Sequence, residues 1–362
     1  MPNTPRTSHK FLTRAIAIIA ASVSTLLASV AYADYTPVDQ NMDQAGQGSN
    51  QDLAQIDSSS SGGEAEAEAL LIPGTSVSLR APVGFVASTQ FSGLVDPESL
   101  ASIVLAELPT AAYTELASIF SSTPEAVTNA FAAQGIALEV ETISSVLVEG
   151  RQVPLVKATQ TVGDTQVGKY FALFGGESTV LLTFNVTALA SLSEQTIVET
   201  IQSVKVAPAL STEQKVAELP FTFEVAAPFQ VFDVLLGSTV LLSPGGEPNS
   251  SGEAPVIIIA SSVSPVVAAD LASFDLATFA DRLLLNTEGF AEASITTRSP
   301  IEFAGGEGYL VQASLSDLSV SQYLRILPDS FYIRMLAVGK PQVIENLAPT
   351  IDAIQRSIEA RP

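Results

Sequence analysis

The stretch LVKATQTVGDTQVGKY (155–170) decides the fold, because a related stretch, LVQASLSDLSVSQY (310–323), occurs in the second half of the chain. The two align once two residues of turn are allowed for. A second related pair, TIVETIQSV (196–204) and TIDAIQRSI (350–358), lies further towards the C-terminus of each half. Self-similarity of this kind is typical of a duplicated unit. The sequence therefore predicts two tandem copies of one domain.

The same order of patterns recurs in each half: a short strand, helices, an antiparallel meander and a closing helix. We predict domain 1 over 73–206, a joint over 207–220 and domain 2 over 221–362. This order predicts an α+β fold in which helices cover an antiparallel sheet. The predicted meander strands lie at 152–162, 166–174 and 178–186 in domain 1 and at 308–315, 320–327 and 331–338 in domain 2.

Capping residues predict where the helices begin. Thr123 precedes Pro124 and Glu125, an N-cap followed by a proline and an acid in the first turn. This is the clearest of two or three helices predicted over 97–135. Ser191 and Glu194 predict a capping box, Asp275 precedes an apolar stripe of helical period, and Pro349 predicts a kink in the last helix.

Gly163, Gly168 and Lys169 fit the first seven positions of the phosphate-binding loop G-x-x-x-x-G-K-[ST]. That loop needs a helix after the lysine, since helix N-terminal amides hold the phosphates. Here an apolar and aromatic run typical of a strand follows, and Tyr170 replaces the serine or threonine. The second half has Gln322 in place of the lysine. The sequence therefore predicts a hairpin turn and excludes a nucleotide site.

The N-terminal residues 1–33 predict a signal peptide. A basic segment precedes the apolar run 15–33, which ends in Ala31-Tyr32-Ala33, a pattern that signal peptidase reads. The alternative is an uncleaved membrane anchor. Residues 34–72 are acidic and of low complexity, and predict a disordered linker, or alternatively an acidic tail that binds a partner. We expect an exported protein, periplasmic or extracellular, without stable membrane insertion after cleavage.

The composition excludes several kinds of function. The chain has no cysteine, and its one histidine is His9, so Ser-His-Asp and Cys-His triads and zinc sites of the usual kind are excluded from the mature chain. Without 1–33 the chain keeps 13 of 16 basic residues and all 38 acidic ones, a net charge of −25. That charge repels nucleic acid. We expect no cofactor and no metal.

A group of basic and aromatic residues in domain 2 is the candidate binding site: Arg325, Arg334, Tyr323, Tyr332 and Arg298. Arginines on neighbouring strands of an acidic protein can hold a carboxylate or phosphate of a small anionic ligand. This requires that the arginines share a face of the sheet, which depends on strand register. The alternative is ordinary pairing with the many acids.

Pairs of acids are the basis of an enzymatic alternative. Glu139 and Glu141 lie on one predicted strand, and Asp270 and Asp275 flank a predicted helix start. Paired carboxylates can hydrolyse glycosides or bind calcium, but no calcium-loop spacing or hydrolase motif occurs. We expect these acids to form a solvated face.

The order of elements resembles the PsbP-like fold. The resemblance rests on Ala81-Pro82 and Ala227-Pro228 after the first strand of each half, a glycine-containing hairpin before each meander, and the closing helices with Ile201-Gln202-Ser203 and Ile354-Gln355. It implies a role in binding or assembly and transfers no catalytic residue. The family's metal-binding residues have no obvious counterparts in this sequence.

The resulting prediction is a non-enzymatic exported protein that binds a protein partner or a small ligand in the cell envelope. Its site is expected in the cleft between the domains or on the sheet face that bears Arg325. The alternatives are a carboxylate-dependent hydrolase and a structural component of an envelope assembly.

Overall fold

The computed structural model describes residues 69–133, 136–162, 165–246, 254–263, 266, 275–287 and 289–361. The predicted signal peptide, most of the predicted linker, the Gly163-Asp164 turn and Asp270 lie outside these residues. No helix in the described ranges is long and apolar enough to cross a membrane.

Domain 1 alternates short and long strands with three helices. In chain order its elements are β1 (Leu70–Leu71), β2 (Val77–Leu79), β3 (Val86–Ala87), β4 (Gly93–Val95), β5 (Ser102–Leu108), α1 (Ala111–Phe120), α2 (Pro124–Ala132), β6 (Glu139–Val148), β7 (Arg151–Val162), β8 (Thr165–Gly175), β9 (Thr179–Val186), α3 (Glu194–Gln202) and β10 (Lys205–Val206).

The joint and domain 2 follow with the same kinds of element. They are α4 (Thr212–Ala217), β11 (Phe221–Thr222), β12 (Phe229–Leu235), β13 (Thr239–Pro244), β14 (Val256–Ser261), α5 (Leu276–Leu285), β15 (Ser294–Phe303), β16 (Gly306–Leu315), β17 (Leu318–Ile326), β18 (Tyr332–Gly339), α6 (Pro341–Asn346), α7 (Ala348–Arg356) and β19 (Glu359–Ala360).

Each domain is built on a seven-stranded antiparallel sheet, and the two sheets have the same topology. The strand orders are β3-β4-β5-β9-β8-β7-β6 and β12-β13-β14-β18-β17-β16-β15. The edge strands β6 and β15 carry a register shift at matching places, between Val140 and Thr142 and between Ile295 and Thr297. The predicted duplicated α+β fold, an antiparallel sheet with helices packed on it, is confirmed.

The meander strands agree with the sequence prediction to within two residues at each end, but the first part of each sheet does not. The predicted helical segment 97–135 contains β5, and the hairpins β3–β4 and β12–β13 were not predicted. β5 reads SIVLAEL and is buried on both faces over most of its length. A short, continuous apolar run has no period that separates a strand from a buried helix.

Two of the predicted helix boundaries are confirmed and two change. Thr123 and Asp275 are N-caps whose side chains accept backbone N–H groups of the first turn. The predicted box at Ser191 is wrong, because Ser193 is the N-cap and accepts from the Thr196 amide. The predicted kink near Pro349 is a break, since α6 ends before Leu347 and α7 begins after it.

Apolar side chains cover both faces of each sheet. In domain 1 the closing helix α3 packs on one face, and α1 and α2 pack on the other. In domain 2, α7 packs on one face and α5 on the other. Ile72 is fully buried in the first of these cores. Residues 70–72 therefore pack with domain 1, and the domain bounds stay a prediction.

Candidate functional site

The predicted basic cluster is divided by the sheet of domain 2. Arg334 on β18 lies directly opposite Leu324 on β17. Directly opposed residues share a face, whereas consecutive residues of a strand point to opposite faces. Arg325 follows Leu324, so Arg325 and Arg334 lie on opposite faces of the sheet. The two arginines do not form one site.

Arg325 lies on the face covered by α7, next to Tyr323. Its guanidinium donates to the carbonyl of Ala304 in the β15–β16 turn. A Cβ on Gly306 would stand 2.7 Å from the guanidinium carbon, so only glycine leaves room for this contact. Arg325 therefore holds the β15–β16 turn in place. On the same face, burial raises the pKa of Tyr323 to about 12.

Arg334 lies on the other face and closes the C-terminal end of α5. Its guanidinium donates to Thr287 Oγ1 at 2.9 Å and to the Leu283 carbonyl at 3.5 Å. A cation is favourable at this end of a helix. Burial lowers the pKa of Arg334 to about 10 and raises the pKa of Tyr332, whose ring lies 5.9 Å from that of Phe279. These contacts give Arg334 a structural role.

Arg298, the fifth predicted residue, forms an ion pair on the α5 face. Its Nε donates to Asp281 Oδ2 at 2.8 Å, and the arginine side chain is about half exposed. Pairing with an acid is the alternative that the sequence left open for this residue. Anion binding by any of the five residues stays a prediction, without a shared site to support it.

The expected cleft between the domains is filled by the turn that joins β12 to β13. Leu236 occupies left-handed backbone at φ 55° and its carbonyl accepts the Ser92 amide at 2.7 Å. Its side chain is buried in the core of domain 1, together with those of Leu235 and Leu241. A Cβ on Gly237 would collide with the Ser92 side chain. The domains are in intimate contact here.

An ion pair completes this contact. Lys215 of α4 lies 3.1 Å from Glu107 of β5, and the Glu107 side chain is almost fully buried. Glu107 also accepts the Ser76 amide at 2.7 Å. The cavity beside these residues has a volume of about 10 Å³, which is room for one water molecule. Around this cavity the described residues of the joint leave no room for a larger ligand.

A buried row of polar side chains crosses the sheet of domain 1. Lys169 Nζ donates to Asn185 Oδ1 at 2.9 Å, and Asn185 Nδ2 donates to Ser102 Oγ at 2.9 Å. Lys169 is only 2% exposed, and burial lowers its pKa to about 7. We name Ser102, Asn185 and Lys169 the polar row. Sequence reasoning missed it, although a lysine within an apolar strand was a signal.

Of the acids that suggested hydrolysis, Asp270 lies outside the described residues and the other three do not form a site. Glu139 and Glu141 are exposed, and Glu141 lies 3.4 Å from Lys157 on the neighbouring strand. Asp275 is the N-cap of α5, and hydrogen bonds from the Thr278 side chain and backbone lower its pKa. Within the described ranges no group of three or more His, Cys, Asp or Glu side chains is placed to hold a metal.

Three turns at one end of domain 1 expose aliphatic side chains. They are the turns 82–85, 96–101 and 187–190, each closed by a backbone hydrogen bond of 2.9–3.1 Å. Thr187 Oγ1 donates to the Ser99 carbonyl, and the Asp96 carboxylate lies 3.6 Å from the Cβ position of Gly84, so the turns are adjacent. We give the name apolar tip surface to the large aliphatic residues exposed on these turns and to Val86, which follows the first turn: Val83, Val86, Leu100 and Leu189.

No protein-family model and no curated protein matches the sequence. Among solved structures the chain is similar to LpqN, involved in cell envelope biogenesis of Mycobacterium tuberculosis, at 15% identity over 39% of this chain and 83% of that one, with a TM-score of 0.31. It is also similar to cyanobacterial PsbP (CyanoP) from Synechocystis sp. PCC 6803, at 16% identity over 41% of this chain and 98% of that one, with a TM-score of 0.27.

A third similar structure spans both domains. It is TplEi, an immunity protein of the T6SS from Pseudomonas aeruginosa, in complex with an "L" peptide. Identity is 13% over 78% of this chain and 100% of that one, with a TM-score of 0.28. All three likenesses are weak and concern the fold alone. They include the PsbP-like resemblance expected from the sequence.

Proposed function

We propose that the chain is a non-enzymatic, exported accessory protein of the cell envelope that binds another protein through its outer surface. The observation that carries the proposal is the closed joint between the domains. Two-domain proteins that act on or carry small molecules commonly place the site in a cleft at the domain interface. Here Leu236 and the Lys215–Glu107 pair fill that position.

The chemistry of the chain supports the same proposal. A chain without cysteine, whose one histidine falls in the predicted signal peptide, lacks the thiol nucleophile and the imidazole base in its mature form. Lys169 has a pKa suited to base catalysis, but it is buried and donates to an amide. The export part of the proposal rests on the basic and apolar pattern of residues 1–33.

In-cell photocrosslinking of the full chain tests binding. A photoreactive residue is placed at exposed positions on both domains, such as Leu147, Leu189 and Gln230, in the cells that produce the protein. The proposal expects a covalent complex of defined mass from at least one position, in the envelope or medium fraction. Complexes from none, or a chain that stays in the cytoplasm with residues 1–33 intact, would overturn it.

The hydrolase alternative has a separate test. The purified chain is assayed on glycoside and ester substrates beside the variants Glu107→Gln and Glu141→Gln. We expect no turnover above the buffer rate for any of the three. Turnover that one of these substitutions abolishes would establish an enzyme and refute the proposed role.

A further inference from the structure

We propose that the apolar tip surface of domain 1 is where the partner docks, and that the partner presents an apolar depression bordered by lysine or arginine. This inference rests on the proposed function, and it specifies the surface and the chemistry of the partner.

The first argument is exposure. Val83 is fully exposed, Leu189 is 77% exposed and Val86 is 52% exposed, on turns that lie side by side. Single exposed aliphatic residues are ordinary, but grouped ones mark interaction sites. Leu100, on the middle turn, adopts φ 58°, a conformation in which a leucine is strained. Strained residues cluster at functional sites.

The second argument comes from domain 2, which makes the same fold without these residues. Val86 of β3 pairs with Val95, and the matching pair in the register of the second sheet is Asp233 of β12 with Leu241. An aspartate therefore stands in the place of Val86. The fold does not require an aliphatic side chain at that position.

The connection that carries Leu189 is built differently in domain 2. In domain 1 seven residues separate β9 from the closing helix α3, and in domain 2 eight residues, most of them in α6, separate β18 from the closing helix α7. The domain 1 connection forms a turn that exposes Leu189. Domain 1 thus has an apolar turn where domain 2 has a helix.

The charge around the apolar tip surface indicates the charge of the partner's contact area. The stretches 82–101 and 187–190, which supply the three turns, contain Asp96 and Glu98 and no lysine or arginine. The mature chain as a whole carries a net charge of −25. Complementary potentials steer partners together, and like charges exclude wrong ones. A basic border around an apolar depression fits this surface, whereas a second copy of this acidic chain does not.

Photocrosslinking at Val83 and Leu189 in producing cells tests the docking surface, with Ala227 and Gln230 as exposed control positions at the matching end of domain 2. We expect one protein to be captured from both tip positions, with at least tenfold higher yield than from the controls. Peptide mapping should place the crosslinks on an apolar area of that protein flanked by lysine or arginine.

Purified components then test the contact directly. Leu189→Asp and Val83→Asp should each weaken binding of the captured protein at least tenfold, and Glu98→Lys should weaken it severalfold and reduce the dependence of affinity on salt. Circular dichroism and melting temperature should match those of the parent, because the substituted side chains are exposed. Gln230→Asp is the matched control and should bind as the parent does.

Several results would overturn the inference. Equal capture from tip and control positions, or capture from the controls alone, would place binding elsewhere and leave the proposed function intact. A mapped contact area that is polar or acidic would refute the partner's chemistry. Sedimentation of the parent, but not of Leu189→Asp, with phosphatidylcholine vesicles would show that the tips bind lipid. Capture from no position on either domain would remove the proposed function as well.

Discussion

The two domains differ in the side chains that form one row across the centre of the sheet. In domain 1, Lys169 pairs with Asn185 and Asn185 pairs with Ser102, forming a buried polar row. In domain 2 the corresponding row consists of Gln322, Leu336 and Ile258. Gln322 donates to the Ala280 carbonyl of α5 rather than to a neighbouring strand. At this row, domain 1 buries a titratable group and domain 2 does not.

This difference shows that the fold does not need the lysine. A buried amine is costly in its charged form, and the cost is lowered by hydrogen bonds or by loss of the proton. Domain 1 has an amide acceptor for Lys169 and no carboxylate in the polar row. Its stability should therefore depend on pH in a way that the corresponding row of domain 2 does not.

The largest effect is expected from pH. The pKa of Lys169 falls from 10.5 to about 7 on folding, so between these values the unfolded chain binds more protons than the folded one. Stability should therefore rise with pH through this window, by an amount on the order of 4 kcal/mol, and be lowest below pH 7.

Urea unfolding of the parent and Lys169→Met at pH 6, 8 and 10 measures this. The variant should lack this rise. Its stability relative to that of the parent should therefore be higher at pH 6 than at pH 10. Parallel pH profiles of the two proteins would show that Lys169 keeps an ordinary pKa.

Replacing Asn185 by the leucine of domain 2 breaks the polar row next. Asn185→Leu leaves the Lys169 amine without its acceptor in a buried position, which should cost about 3 kcal/mol at pH 7. The double variant Lys169→Met, Asn185→Leu removes both polar groups and should recover most of that loss. Chemical denaturation of the four proteins completes the cycle, and additive effects would mean that the two side chains do not interact.

If the contact between the domains is weakened, the stability of each domain can be measured separately. Leu236→Ala removes a domain 2 side chain from the core of domain 1, and should cost about 3 kcal/mol. Calorimetry should then resolve two unfolding transitions in place of one. Leu189→Ala is the exposed control and should change stability by less than about 0.5 kcal/mol. A single transition at the parent's temperature in Leu236→Ala would mean that Leu236 does not couple the domains.

The smallest effects concern the helix caps. Thr123 caps α2 in domain 1 with a hydroxyl, and Asp275 caps α5 in domain 2 with a carboxylate. Thr123→Ala should cost about 1 kcal/mol at any pH. The pKa of Asp275 is lowered, so its contribution is present above the ordinary pKa and is lost as pH falls through the lowered value.

Thermal melts at pH 3 and pH 7 separate the two caps. Asp275→Asn should be less stable than the parent at pH 7 and differ less from it at pH 3, while the Thr123→Ala difference should stay constant. An Asp275→Asn difference that does not change with pH would contradict a carboxylate cap.

Much of this architecture was predictable from the residues. Alternation of apolar and polar residues, together with glycine-containing turns, located the meander strands, because every second side chain of a strand points to the same face of the sheet. Thr123 and Asp275 marked helix starts because an N-cap is a local contact between neighbours. β5 and the hairpins before it were missed, since their residues are buried on both faces or are too few to show a period.

The candidate site was less predictable. The grouping of Arg325 with Arg334 failed because a turn between two strands leaves register open, and one residue of register moves a side chain to the other face. The apolar tip surface gave no local signal, because its four residues come from three turns separated by up to about a hundred residues of chain.

The sequence by itself determined the duplication, the class of fold, the acidity, and the absence of histidine and cysteine chemistry beyond His9. These follow from composition and from contacts between near neighbours. Only the tertiary structure decided that the cleft between the domains is closed, that Lys169 is buried and that the exposed aliphatic residues meet at one end of domain 1. Each of these depends on register and on packing between distant segments, which local pattern does not specify.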